Sequence, residues 1–248
     1  ASPHSYLQSL AMADDRRFWW IGHKEFPIVR MIDQDPAAQW LGGPAIENLW
    51  TFARNQIIGF YEASAAFQSK STVQPRYFVE KSLPNPVLRE VQRELFPGHP
   101  EIILVRDFRD MLVSILAFDE KRGQKGFGGD LRPGAEYVAW LGRAAAQLLY
   151  NWQTATEGAV LVRYEDLVQR PASVLQGLLR YLQLKDSDAL VKGMILSAET
   201  VEPGAQQQHR TSLDSQASIG RWRNELPDEL RESSQQAFGE ALAVFGYE

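Results

Sequence analysis

No cysteine occurs among the 248 residues of the chain, which excludes disulfides, thiolate nucleophiles and cysteine-ligated metals together. That absence fits a reducing compartment, and the expected location is the cytoplasm. Apolar runs are short: none approaches the roughly 18 residues that a membrane-spanning helix requires. The start, Ala1-Ser2-Pro3-His4-Ser5, lacks the basic segment and hydrophobic core of a signal peptide. Positive charge is also in deficit. Lys and Arg number 26 against 31 Asp and Glu, a net charge of −5, so no global basic field exists to hold duplex nucleic acid. Any anion must be held by a local cluster. No internal repeat is found, and no Glu/His spacing suggests a metal. What is present is a 44% hydrophobic fraction with seven Trp and twelve Phe, enough for a sizeable core. The length suits one large α/β domain or two small ones.

Apolar periodicity orders the chain. Tyr6, Leu7, Leu10 and Ala13 mark a first helix, and Phe18-Trp19-Trp20-Ile21 a short strand running into Gly22-His23-Lys24-Glu25. Glu47 to Phe67 reads as a long amphipathic helix. Tyr77-Phe78-Val79 reads as a strand, followed by Lys81-Ser82-Leu83-Pro84 and a helix from about Val87 to Leu95. Ile102 to Val105 reads as a buried strand, with a helix to about Lys121 after it. Gly123 to Gly134 holds five glycines and one proline in twelve residues, the composition of a loop. Helices follow around Val138 to Trp152, Leu175 to Leu182 and Asp228 to Phe245, with a strand at Ala159 to Val162 and a polar, aperiodic stretch from Glu199 to Arg223. Strands alternating with long helices predict an α/β fold with a central parallel sheet flanked by helices.

Three predicted strands end in polar clusters: Glu80-Lys81-Ser82, Arg106-Asp107 and Arg163-Tyr164-Glu165-Asp166. Parallel strands deliver their carboxyl ends to one sheet edge, where open α/β folds bind ligands. Arg106 with Ser114 eight residues on, in the following helix, has the makings of a phosphate site. A helix-start ion pair with Asp107 or Asp110 serves the same sequence equally well. Tyr164 adds a ring for stacking against a nucleotide base. Glu165 and Asp166 are expected to cap the next turn.

Taken in order, these segments resemble a known family. Val105-Arg106-Asp107-Phe108-Arg109-Asp110-Met111-Leu112-Val113-Ser114 is similar to the 3′-phosphate motif of sulfotransferases that use 3′-phosphoadenosine-5′-phosphosulfate (PAPS). Val162-Arg163-Tyr164-Glu165-Asp166-Leu167, with Arg170-Pro171, resembles the family's Tyr-Glu-Asp-Leu segment near the adenosine. Ser218-Ile219-Gly220-Arg221-Trp222-Arg223 resembles its late Gly-x-Trp loop, and Val79-Glu80-Lys81-Ser82-Leu83-Pro84-Asn85 its Glu-Lys-Ser/Thr segment beneath the transferred sulfonate. The resemblance, which extends loosely to tyrosylprotein sulfotransferases, implies a three-layer P-loop-type fold and a single sulfotransferase domain over residues 1–248.

It further implies sulfonate transfer from PAPS to a hydroxyl-bearing acceptor, leaving 3′-phosphoadenosine-5′-phosphate, without a metal. Ser5, Arg106, Ser114, Tyr164, Ser218, Gly220, Arg221, Trp222 and Arg223 would bind the nucleotide. Such a transfer needs a base, cations around the shifting charge and an in-line geometry. Lys81 is the candidate for the leaving oxygen. Glu25 leads as base, by loose similarity of Gly22-His23-Lys24-Glu25 to a Gly-Glu-Glu segment, followed by His23 and Glu80. The acceptor could be a sugar, a lipid head group, a small metabolite hydroxyl or a tyrosine, with residues 26–75 and the glycine loop shaping its pocket.

The resemblance departs at one place. The family's early Pro-x-Ser-Gly-Thr-Thr loop, whose backbone N–H groups cradle the 5′-phosphosulfate, has no counterpart in Ser2-Pro3-His4-Ser5-Tyr6. The expectation is that this loop and the strand before it are omitted from the sequence; were they lacking altogether, the main sulfonate clamp would be lost. Two alternatives stand beside the transferase: an inactive adenosine-phosphate-binding module, and a P-loop-type kinase, which would need a Gly-x-x-x-x-Gly-Lys-Ser/Thr loop that is not visible.

Overall fold

The computed structural model describes residues 43–68, 77–122, 131–155, 158–200, 211–212 and 214–247. Two compact units are present, the first ending at His99 and the second beginning at Pro100. The helix predicted near Tyr6, the strand at 18–21 and most of the glycine loop lie outside the described residues.

In the first unit, α1 (Gly43–Gln68) is the long helix that the periodicity predicts. α2 (Pro86–Leu95) begins where Asn85 accepts the Leu88 N–H through its side-chain oxygen at 3.1 Å. Pro86 occupies the first turn, where its missing N–H would have no helical partner anyway. Arg54 of α1 donates to the carbonyl of Leu95 and ties the two helices together. Tyr77-Phe78-Val79 is not a strand. Tyr77 and Val79 are 68% and 89% exposed, and β propensity without a partner strand among the described residues does not make a ladder. Phe78 instead stacks on Tyr61, ring centroids 4.3 Å apart.

The second unit runs β1 (Glu101–Val105), α3 (Phe108–Arg122), α4 (Ala135–Gln153), β2 (Ala159–Arg163), α5 (Tyr164–Gln169), α6 (Pro171–Tyr181), α7 (Asp188–Thr200), α8 (Trp222–Glu225) and α9 (Asp228–Val244). β1 and β2 pair in parallel, with Ile103 beside Leu161 and Val105 beside Arg163. This is the α/β architecture that the alternation predicts. Ile103 and Val105 face a core built with Phe108 and Leu112 of α3, Leu141 of α4, and Phe238 and Leu242 of α9. The run predicted as a buried strand is buried on that face alone. Ile102 and Leu104 are 42% and 54% exposed, because α3, α4 and α9 all supply the core on the other side.

The helix predicted around Leu175 to Leu182 is α6; the short α5 before it, which periodicity does not predict, ends at Arg170 because Pro171 cannot donate an N–H to continue it and suits the first turn of α6. α7 has no counterpart in the sequence reading. Among the described residues no helix is long and apolar enough to cross a membrane.

α9 ends in a Schellman cap. Gly246 donates to the Ala243 carbonyl at 3.2 Å and Tyr247 to that of Leu242 at 2.8 Å, with Gly246 at φ +74°. A Cβ there would meet its nearest neighbour, Arg163 Nη1, at an ordinary 3.7 Å. The cost of Gly246→Ala is therefore conformational, about 1–2 kcal/mol in chemical denaturation. An unchanged midpoint would mean that the cap contributes nothing.

Candidate functional site

The strand register brings two of the sequence-predicted residues of the second unit together. Val105 lies beside Arg163, so Arg106 and Tyr164, the next residues, leave the same sheet edge. The Arg106 guanidinium lies over the Tyr164 ring, 4.7 Å from its centroid. Its Nη2 donates to the Ser218 carbonyl at 3.0 Å, and the Tyr164 hydroxyl bonds Ser218 Oγ at 3.0 Å. Ser218 is buried in a 3₁₀ turn, Gln216–Ser218. Arg106 Nε is buried and has no hydrogen-bond partner among the described residues. A buried cationic N–H left unsatisfied is costly, and a site that keeps one is suited to an acceptor from outside the chain.

The helix-start ion pair also exists, but with a different arginine. Asp107 caps α3, accepting the Arg109 N–H through Oδ1 at 2.9 Å. Its carboxylate also takes Arg109 Nε at 3.0 Å and Nη2 at 2.7 Å. Arg109 therefore neutralises Asp107 and leaves Arg106 to face Tyr164 and Ser218.

Ser114 sits on α3, with Oγ 3.1 Å from Thr211 Oγ1. Thr211 in turn accepts Arg221 Nη1 at 3.1 Å. Arg221 is forked onto Glu225, Nε to Oε1 at 2.9 Å and Nη2 to Oε2 at 2.6 Å. This bonding holds the Glu225 carboxyl below its usual range.

The loop before α8 is docked on Asp110. Its Oδ2 accepts the Gly220 N–H at 2.6 Å and its Oδ1 the Trp222 N–H at 2.9 Å, an arrangement allowed by the left-handed φ of +75° at Gly220. The two backbone donors are thus turned toward Asp110, and the loop's cations, Arg221 and Arg223, are carried on side chains. Trp222 is held between guanidinium groups, Arg109 at 3.8 Å and Arg223 at 4.7 Å from the ring centroid, and packs partly buried against the core.

Glu165 does not cap α5, and neither does Asp166, whose carboxylate pairs with Arg170 at 2.8 Å. Glu165 instead bonds the backbone of Asp107 and the hydroxyl of Tyr247. In the first unit Glu80 accepts the Tyr61 hydroxyl, its Oε1 is buried without a partner among the described residues, and Lys81 is exposed. Phe60 is exposed on α1, and Trp50 is half-buried. Ser5, His23 and Glu25 lie outside the described residues.

Thr211, Asp110 and Tyr247 acquire roles that spacing alone does not signal, since Asp110 and Gly220 are 110 residues apart and Glu165 and Tyr247 are 82 apart.

A sequence model of the sulfotransferase family matches residues 12–188. The chain belongs to the sulfotransferase family. Sulfonate transfer is the chemistry of that family, and Arg106, Ser114 and Tyr164 all fall within the matched segment. Among solved structures, the chain is similar to a sulfotransferase domain from the curacin biosynthetic pathway, with a TM-score of 0.49 and 20% sequence identity, covering 88% of this chain and 76% of that one. No curated protein matches it. As a sulfotransferase, the chain presents at one sheet edge a guanidinium stacked on an aromatic ring, with the hydroxyls of Tyr164 and Ser218 beside it, groups suited to a phosphorylated nucleoside.

Proposed function

We propose that this sulfotransferase draws its sulfonate from PAPS, binds the 3′-phosphoadenosine end at the Arg106–Tyr164 edge, and delivers the group to an acceptor hydroxyl. The observation that carries this is the Arg106 guanidinium, fixed on Tyr164 and Ser218 with a buried Nε that has no partner among the described residues. A 3′-phosphate oxygen would satisfy that donor with a charge-assisted bond. Bound PAPS supplies an activated sulfonate on a phosphate leaving group. Around it, Arg106 and Ser114 take the 3′-phosphate, Tyr164 stacks on the adenosine, and the segment Ser218, Gly220, Arg221, Trp222 and Arg223 lies on the phosphate side. Lys81 is assigned the leaving oxygen. Glu25, His23 or Glu80 takes the acceptor's proton. These last roles rest on the resemblance of the segments that carry them.

Calorimetry with adenosine 3′,5′-bisphosphate and adenosine 5′-phosphate tests the nucleotide assignment. The bisphosphate is expected to bind at least about tenfold more tightly, since only it offers Arg106 a dianion. Equal affinities would overturn the assignment. Transfer of radiolabelled sulfonate from PAPS across sugar, lipid, small-metabolite and tyrosine acceptors then tests catalysis. Tight bisphosphate binding with no transfer to any of them would identify a binding module instead.

A further inference from the structure

Glu165 is the side chain that joins the two strand ends. Its Oε1 accepts the Asp107 N–H at 3.0 Å, so it grips the peptide that links Arg106 to Asp107, while its own backbone follows Tyr164 directly. Its Oε2 accepts the Tyr247 hydroxyl at 2.6 Å. Glu165 and Tyr247 are 7% and 8% exposed, so water competes little for either group. The Schellman cap at Gly246 turns the chain at the end of α9 and delivers Tyr247 to this place, with its ring beneath Arg163, whose guanidinium carbon lies 4.3 Å from the ring centroid. Burial first, and then the Glu165 carboxylate, push the phenol pKa upward. The hydroxyl stays protonated and remains a donor.

A carboxylate with two fixed donors on different segments has one position available to it. Removing the Tyr247 hydroxyl leaves Oε2 buried without its donor, and the carboxylate then has reason to turn away from the Asp107 N–H. The peptide after Arg106 would be released with it, and the guanidinium would lose its seat over Tyr164. We propose that Tyr247, acting through Glu165, is a positioning residue that fixes the Arg106 guanidinium where the nucleotide's 3′-phosphate is received. This rests on the nucleotide assignment above.

Tyr247→Phe keeps the ring under Arg163 and removes only the hydroxyl. With the full chain, calorimetry is expected to show the Kd for adenosine 3′,5′-bisphosphate raised roughly tenfold, the size expected for losing one hydrogen bond to a charged group. The Kd for adenosine 5′-phosphate should move by less than about twofold, because Tyr164 still receives the adenosine. A purely structural role for Tyr247 would weaken both nucleotides in parallel, and that result, or an unchanged bisphosphate Kd, overturns the proposal. Glu165→Gln supplies the independent check. Its amide oxygen can still accept the Asp107 N–H and its amide group can still bond the Tyr247 oxygen, so it should retain most of the preference for the bisphosphate. Loss of the preference in Glu165→Gln to the same degree as in Tyr247→Phe would also count against positioning by geometry. If the wild-type chain itself shows no preference for the 3′-phosphate, the nucleotide assignment fails and this proposal with it; a wild-type preference that survives in Tyr247→Phe defeats the positioning role alone.

Discussion

Arg106→Ala is expected to weaken binding of adenosine 3′,5′-bisphosphate by about 2–5 kcal/mol, the range for truncating one partner of a desolvated charge pair. The size follows from what the guanidinium already has. It is stacked 4.7 Å above the Tyr164 ring and bonded to the Ser218 carbonyl, so its orientation is set before ligand arrives and little ordering entropy is lost on binding. Alanine removes the charge, the planar fork and the stacking together. Arg106→Lys should recover only part of the loss, since a point charge on a flexible stem can neither stack on Tyr164 nor present two parallel N–H groups. The fold should tolerate both changes better than binding does, because Asp107 keeps its own partner in Arg109. Calorimetry alongside thermal unfolding separates the two effects. An Arg106→Ala protein with wild-type affinity removes this residue from the site.

The strands that carry the site were legible because each apolar run, Ile102 to Val105 and Ala159 to Val162, stops abruptly at charge, which marks a strand leaving the core. Arg106 and Tyr164 could be picked out for the same reason, and Ser114 by its place eight residues after Arg106 in the following helix. Tyr77-Phe78-Val79 has equally strong β propensity and failed, because a strand depends on a neighbour and local sequence does not report one. The break at Arg170 was available in Pro171 and follows from its missing N–H. What spacing could not reveal is which of several adjacent charges faces which partner. Asp107, Arg109, Asp110 and Arg106 lie within five residues, yet they bond respectively Arg109, Asp107, the Gly220–Trp222 backbone and Ser218. Asp107 and Arg109 pair locally at the helix start, whereas the partners of Arg106 and Asp110 come from a segment around 110 residues away. Glu165 shows the same limit: at a helix start it reads as a cap, whereas its carboxylate is taken by the Asp107 N–H and the Tyr247 hydroxyl.

Asp110→Ala is expected to cost about 3 kcal/mol of stability, because two charge-assisted hydrogen bonds are lost and two backbone donors are left to find other acceptors. In a domain of this size that corresponds to a fall in Tm of roughly 6–12 °C. Asp110 is 1% exposed, and its two oxygens meet the N–H groups of Gly220 and Trp222 one to one. Asp110→Asn should fall between wild type and alanine, since an amide offers one acceptor and turns its NH₂ toward the other donor. The two variants also differ in pH dependence. Burial raises the Asp110 pKa above its ordinary 3.8 despite the pull of the two N–H groups. The folded state therefore binds the proton more tightly than the unfolded state, and this group's contribution to stability falls as pH rises from about 3.8 through the raised value. Asparagine has no such titration, so the advantage of aspartate over asparagine should widen on acidification through that window, opposite to the behaviour of an ordinary salt-bridged carboxylate. Denaturation curves from neutral pH down to the carboxylate range would measure it, and a difference that narrows in acid would show that the hydrogen bonds outweigh burial. The same loop carries the Ser218 carbonyl that holds Arg106, two residues before Gly220. Asp110→Ala should therefore also raise the Kd for the bisphosphate, coupling the stability of the docked loop to the orientation of the guanidinium proposed to receive the phosphate.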